Sequence, residues 1–353
     1  MTKDFRYIKV KKNSVTLIIP EELKIGVVKN FINEISSFDF ENYDKIVLNA
    51  RGIKWIEPLT SLLLISFLQE SIISKYKEII KYYSVDHCIN SYAAHIGFYR
   101  ALRIPVGKAV GEAKGNLQYI PITKIDICEL VSEAESKKIL PIQLLEEKSY
   151  KLSNILISHI GMKGDNKSLG YAIFEMVRNI FEHSESNYIL FCAQVWPGRD
   201  ELEIAIVDAG IGIKASIDSN YHHKKDRTNV EAIKYALEPG ISRSFMAGAS
   251  SYQDRDDPYA NSGFGLYVMH NLCSMLGVFK IISTGDYLEY QSKRITESIC
   301  NFNGTAIGMR FKLSTLDRIP ELRKNLIEVG EKEIKYKKNV IREASAASKS
   351  LTY

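Results

Sequence analysis

Three clusters of side chains in this chain have types and spacings that could do chemistry. Glu175, Asn179 and His183 recur at every fourth position, which stacks them along one side of a helix. A carboxylate beside a carboxamide on one stripe suits a site that holds a metal ion and a water together. Asp208 ends an apolar run and is followed by Gly210 and Gly212. A buried carboxylate there can accept a hydrogen bond from an exocyclic amine, which selects adenine over guanine, and the glycines let backbone approach a base closely. Gly263-Phe264-Gly265-Leu266 opens a helical stretch, and helix-terminal amides beside flexible glycines bind anions such as phosphates. Taken singly, each cluster also fits an ordinary element: an amphipathic core helix, a strand ending in an Asp-Gly turn, a chance GxG.

The elements that must position these groups are legible from periodicity. Leu169 to Ser184 reads as a helix, with Leu169, Ile173, Met176, Val177, Ile180 and Phe181 on one apolar face. Glu201 to Val207 alternates and then turns apolar, as a half-buried strand does, and delivers Asp208 at its end. Leu266 to Leu276 continues as a helix, and Asn303-Gly304-Thr305 leads into a strand over Ala306 to Leu313. Between the second and third clusters, residues 214–262 form a long polar insertion containing Glu238-Pro239-Gly240 and the charged stretch Gln253 to Pro258. A loop of that length is uncommon unless it is functional.

In order and spacing, Glu175-Met176-Val177-Arg178-Asn179, Asp208-Ala209-Gly210-Ile211-Gly212 and Ser262-Gly263-Phe264-Gly265-Leu266 resemble the N, G1 and G2 boxes of the GHKL superfamily. The resemblance implies a Bergerat-fold α/β sandwich over residues 146–315, an ATP site and a magnesium ion. It assigns Asn179 as the magnesium ligand, Glu175 as the general base and Asp208 as the partner of the adenine amino group. Gly210, Gly212, Gly263, Phe264, Gly265 and Leu266 become nucleotide-binding positions, residues 214–262 the nucleotide lid, and Thr305 part of the Gly-Thr that closes the pocket near the adenine. His183 matches a histidine of the anti-sigma-factor kinase branch, whereas Glu182 stands where histidine kinases prefer a basic residue. Ser158-His159 lies too close to Glu175 for a separate phospho-acceptor hairpin, so His159 reads as an ordinary helix residue.

Residues 14–104 alternate between strand and helix periods, the mark of a small α/β unit with helices packed on a sheet, expected over residues 1–105. Strands are expected at Ser14–Ile19, Lys45–Asn49 and Lys81–Val85, and helices at Leu23–Ile35, Pro58–Ile80 and Ile89–Leu102. Ile46-Val47-Leu48-Asn49, Ile53 to Ser61 and Ser91 to Phe98 resemble the STAS fold of anti-sigma-factor antagonists. That family carries a phospho-accepting serine in its loop. Here Pro58 and Leu59 replace the serine pair, so phosphorylation is not expected there, although Thr60 and Ser61 are nearby hydroxyls. Residues 106–145, with Pro105 just before them and rich in glycine, read as a linker with one added strand, Leu117 to Ile122. Residues 316–353 read as a solvated or weakly docking helix, Glu321 to Ser345, and a tail.

The fold class expected is therefore α/β, a STAS-like unit followed by a Bergerat-fold unit. Five scattered cysteines without CxxC argue against a disulfide scaffold or a zinc site, and no apolar run is long enough for a bilayer, so a cytoplasmic protein is expected. The mild net charge of +5, without a basic patch interleaved with aromatics, does not indicate nucleic acid. The leading functional expectation is a magnesium-dependent, slow ATPase acting as a nucleotide-controlled switch on a protein partner. A serine/threonine kinase of the anti-sigma type and a non-hydrolysing ATP sensor or scaffold are the alternatives. Homodimerisation is common in the superfamily, and no residue here specifies it.

Overall fold

The computed structural model describes residues 5–82, 90–116, 118–157, 166–219, 225–241 and 263–338. The first third of the chain forms β1 (Ile8–Lys11), β2 (Ser14–Ile18), β3 (Glu22–Leu23), α1 (Ile25–Ser36), β4 (Lys45–Asn49), β5 (Trp55–Ile56), α2 (Pro58–Leu68), β6 (Ile80–Tyr82), α3 (Ser91–His95) and α4 (Phe98–Ala101). A four-stranded sheet runs in the order β1-β2-β4-β6; β1 and β2 are antiparallel, and the β2–β4 and β4–β6 pairs are parallel. The short strands β3 and β5 pair separately.

Two of the expected helices are shorter than their periodicity suggested. The one beginning at Pro58 leaves the α-helical path after Leu68 through a π-type turn, Gln69–Ile73, where Gln69 Nε2 donates to Ala101 O at 2.5 Å. The one expected over Ile89–Leu102 splits into α3 and α4 at Gly97, whose φ of +93° no regular helix accepts. Ser84, Val85 and Ile89 lie outside the described residues.

The remainder builds β7 (Tyr119–Asp126), α5 (Ile127–Lys137), α6 (Pro141–Ile157), α7 (Asn166–His183), β8 (Tyr188–Trp196), β9 (Glu201–Asp208), α8 (Gly212–Asp218), α9 (Asn229–Ala236), α10 (Gly265–Leu276), β10 (Gly277–Gln291), β11 (Arg294–Lys312) and α11 (Ile319–Lys338). The five strands form one antiparallel sheet in the order β10-β11-β9-β8-β7. The chain is thus a mixed α/β protein. The stretch 106–145, expected as a linker with one added strand over Leu117 to Ile122, does carry a strand there, the edge strand β7, but it also supplies the whole of α5 and the start of α6, so the expected boundary at 145/146 falls inside a helix. Asp126 caps α5 by accepting from the Cys128 and Glu129 amides, a local signal that the mixed charge of the segment obscures.

Both faces of the five-stranded sheet are buried, because its central strands are apolar on both sides. Phe191, Ile204, Ile206, Ile307 and Met309 join α7 and α10 in one core. Cys192, Ala205, Val207 and Ala306 face the other way and join the core of the N-terminal unit. Small residues there admit α2 closely: a Cβ on Gly308 would lie 2.7 Å from Leu59 Cδ2. All eleven residues of α2 are buried, between one sheet and the other. The C-terminal helix corrects its expectation as well. Arg323, Leu326, Ile327 and Ile334 of α11 are buried, so over its described length it is docked on the second core rather than solvated.

Candidate functional site

Helix α7 and strand β9 bring the first two clusters to one cavity. Asn179, Ile180 and His183 on α7 line it together with Asp208 at the end of β9. Thr305 and Ile307 extend the same wall from β11, where Thr305 lies in register with Asp208. Ile213 and Ile217 of α8, with Ile241 and Leu266, supply apolar surface. The space is about 730 Å³ with the solvent at its open mouth included.

Asp208 dominates the electrostatics. Its side chain is fully buried, and Oδ1 accepts from the Gly210 amide at 2.7 Å. Oδ2 has no hydrogen-bond partner among the described residues. Burial pushes the carboxyl up to about 7, against the opposing effect of the Gly210 and Thr305 amides. A buried acceptor held by one oxygen and unsatisfied at the other is costly unless something completes it. Asn179 Nδ2 is likewise buried without a partner among the described residues.

The glycines fix the turn that follows. Gly212 has φ +76°, and a Cβ there would lie 2.1 Å from Thr284 Oγ1, so only glycine allows α8 to start against β10. The Ile213 amide donates to Ser283 Oγ at 2.9 Å, and Asn229 Nδ2 donates to Thr284 O at 2.7 Å. Ser283 and Thr284 sit where the β10–β11 register shifts. The sequence reading did not single them out. Ser283-Thr284-Gly285, interrupting an apolar strand, was the available signal.

Seven of the anticipated nucleotide positions line the cavity: Asn179, His183, Asp208, Gly212, Gly263, Leu266 and Thr305. Gly210, Phe264, Gly265 and Glu175 do not figure among the described lining residues. Gly210 lies behind Asp208, with its Cβ position 2.0 Å from Ser184 O. Phe264 is fully buried in the core, its ring edge-on to Tyr267. Glu175 is buried one turn before Asn179 and pressed against the start of α10; a Cβ on Gly265 would lie 2.2 Å from Glu175 Oε2. Arg178, between them on α7, pairs with Glu182 (Nε to Oε1, 2.7 Å), which accounts for the acidic residue at that position.

The insertion between the second and third clusters is not a plain loop. It carries α8 and α9, the latter opened by a capping box in which Thr228 and Glu231 satisfy each other's amides. Residues 220–224 and 242–262, including the charged stretch Gln253 to Pro258, lie outside the described residues, as do Ser158 and His159. None of the described lining residues is Lys or Arg. Among the described residues no group of three or more His, Cys, Asp or Glu is arranged to hold a metal, and no helix is long and apolar enough to cross a membrane. Comparison of the sequence with models of known protein families gives no match, and comparison with curated proteins gives none either.

Proposed function

We propose that this chain is a magnesium-dependent ATP-binding protein of the GHKL type, with a Bergerat-type nucleotide unit joined to a STAS-like unit. The observation that carries the reading is Asp208: a fully buried carboxylate at a cavity wall with one oxygen unsatisfied among the described residues. An adenine amino group is a donor of the required kind. Ile180, Ile213 and Ile307 offer apolar surface for the base, and Thr305 stands in register beside Asp208.

The triphosphate end would lie towards Asn179 and the start of α10, where free amides favour anions. With no lysine or arginine among the described lining residues, a divalent cation is the natural neutralising charge. Asn179 would contribute an amide oxygen to it, the remaining ligands being phosphate and water. When bound, magnesium supplies charge neutralisation and orientation of the phosphates. Glu175, one turn away, would polarise a water.

The intrinsic activity proposed is slow ATP hydrolysis, with nucleotide state setting contacts to a protein partner. The burial of Glu175 against Gly265, off the described cavity wall, favours a second reading in which ATP is held and scarcely turned over. Transfer to the chain's own STAS-like unit is disfavoured. Thr60 and Ser61 are buried, donate to Leu23 O and Pro58 O, and belong to a helix packed on the sheet face away from the cavity.

Titration of the purified chain with magnesium and ATP, following both free phosphate and labelled protein, tests the proposal. Binding with slow phosphate release is expected; no binding of any adenine nucleotide would refute it. Glu175→Ala separates the two readings. As a general base its loss should cost about a hundred- to ten-thousand-fold in turnover with affinity retained, whereas wild-type turnover in the variant would remove Glu175 from the chemistry.

A further inference from the structure

Helix α11 supplies none of the described residues lining the cavity, and it carries a buried glycine, Gly330, packed on residues next to that wall. Its buried face repeats at helical spacing through Arg323, Leu326, Ile327, Gly330 and Ile334. A Cβ on Gly330 would lie 2.9 Å from Phe264 Cε1, 3.0 Å from Tyr267 Cε1 and 3.1 Å from Pro239 Cβ. Glycine within a 20-residue helix weakens that helix, so its presence against these three side chains has a packing reason.

Those three contacts reach the cavity wall through the backbone. Pro239 precedes Gly240, whose amide donates to Gly263 O at 3.1 Å. Gly263 has φ +72°, and a Cβ there would lie 2.6 Å from Ile241 O, so the two segments are in direct contact. Phe264 follows Gly263 and precedes α10. Ile241, Gly263 and Leu266, which these segments carry, all line the cavity. Tightly packed interiors transmit a displacement of a few tenths of an ångström rather than absorb it.

We infer that Gly330 is a positioning residue for the nucleotide site: α11 seats, through Phe264 and Pro239, the wall made by Ile241, Gly263 and Leu266. The inference rests on the ATP-binding reading and adds to it a determinant of phosphate-end affinity outside the three boxes. The three atoms nearest a Cβ on Gly330 belong to Phe264, Tyr267 and Pro239, whereas Asp208 and Thr305 belong to β9 and β11. Displacing the Gly263–Leu266 wall should therefore affect the triphosphate more than the base.

The test compares Mg-ATP and adenosine binding by calorimetry in the full chain, as wild type, Gly330→Ala, Phe264→Leu/Gly330→Ala and Val329→Ala, an exposed neighbour on α11. Gly330→Ala should weaken Mg-ATP about fivefold and adenosine less than about twofold, the signature of a local wall shift instead of general loosening. Phe264→Leu removes ring atoms that the new Cβ strikes, so the double variant should regain most of the Mg-ATP affinity; it also serves if Gly330→Ala alone does not fold. Val329→Ala should bind as wild type. Unchanged Mg-ATP affinity in Gly330→Ala, equal weakening of both ligands, or no recovery in the double variant would overturn the inference while leaving the ATP site intact. Failure of wild type to bind either ligand would overturn both.

Discussion

Strand β9 carries two buried carboxylates five residues apart on opposite faces of one sheet, and their surroundings could hardly differ more. Glu203 faces the N-terminal unit. It accepts from Arg310 Nε at 2.8 Å and from Arg310 Nη2, and its Oε1 accepts the Leu59 amide at 3.0 Å. Arg310 also reaches Glu57 at 3.2 Å, so the charges at the start of α2 and those on the sheet satisfy one another. Asp208 faces the cavity with the Gly210 amide on one oxygen and nothing on the other among the described residues. A completed buried charge network joins two parts of a molecule; an incomplete one marks where a ligand completes it.

The largest effect should come from breaking the completed side. Arg310→Ala leaves Glu203 and Glu57 buried without their cation, and removing one partner of such a pair typically costs about 3–5 kcal/mol. Urea unfolding should show that loss, with Mg-ATP affinity in the surviving folded protein close to wild type because Arg310 is on the other face. A loss below about 1 kcal/mol would mean the network contributes little to joining the two units.

Asp208→Asn should act in the opposite sense on stability. An acid whose carboxyl is raised on folding binds more protons folded than unfolded between the two values. Wild-type stability from this group therefore falls as pH rises from the ordinary 3.8 through about 7. The variant lacks that titration, so its advantage is greatest above about pH 7 and vanishes towards pH 4, with an upper bound of about 4 kcal/mol. The same change presents an NH₂ where the adenine amino group needs an acceptor and should weaken ATP by about 1.5–3 kcal/mol, with inorganic triphosphate barely affected. Thermal unfolding at two pH values, paired with the two titrations, checks both halves. A variant destabilised at high pH would show that Asp208 is satisfied in some other way.

Asn179→Ala sharpens the comparison at a smaller scale. Its Nδ2 has no partner among the described residues, so its loss should leave stability nearly unchanged. Magnesium-dependent ATP affinity should fall about tenfold or more, equivalent to about 1.4 kcal/mol. Adding a chelator to wild type should reproduce most of that loss. Equal Mg-ATP affinity in variant and wild type would remove Asn179 from the metal site.

Much of the cavity side could be read in the sequence because its signals are local. Residues a turn apart on α7 must share a stripe, and an apolar strand ending in Asp-Gly must deliver Asp208 to an edge. Gly210, Gly265 and Phe264 fell close to the site but behind its wall, since a motif fixes position along the chain and not which side of a turn faces solvent. The paired side was not legible. Helix α2 is buried on every side, which erases the periodicity that would show where it packs. Glu57, Glu203 and Arg310 are far apart in the chain and carry no mutual spacing signal. The outer part of the β10–β11 hairpin, from Arg294 to Ile299, was missed because it is exposed and mixes Ile295 and Ile299 with polar residues.

The smallest effect belongs to the rim of the paired side. The Trp55 ring of β5 stacks on Trp196 of β8, with centroids 6.1 Å apart, and the guanidinium of Arg199 lies 4.4 Å from the Trp55 centroid. Arg199 is exposed, so water screens its charge and competes for its donors. A cation–π contact at such a site is worth about 0.5–1 kcal/mol, against several for the buried Arg310 network. Arg199→Ala should therefore lower unfolding free energy by no more than about 1 kcal/mol and leave Mg-ATP affinity unchanged. Urea unfolding alongside the ATP titration decides it. A loss comparable to that of Arg310→Ala would shift the junction between the two units from the buried charges to the aromatic rim.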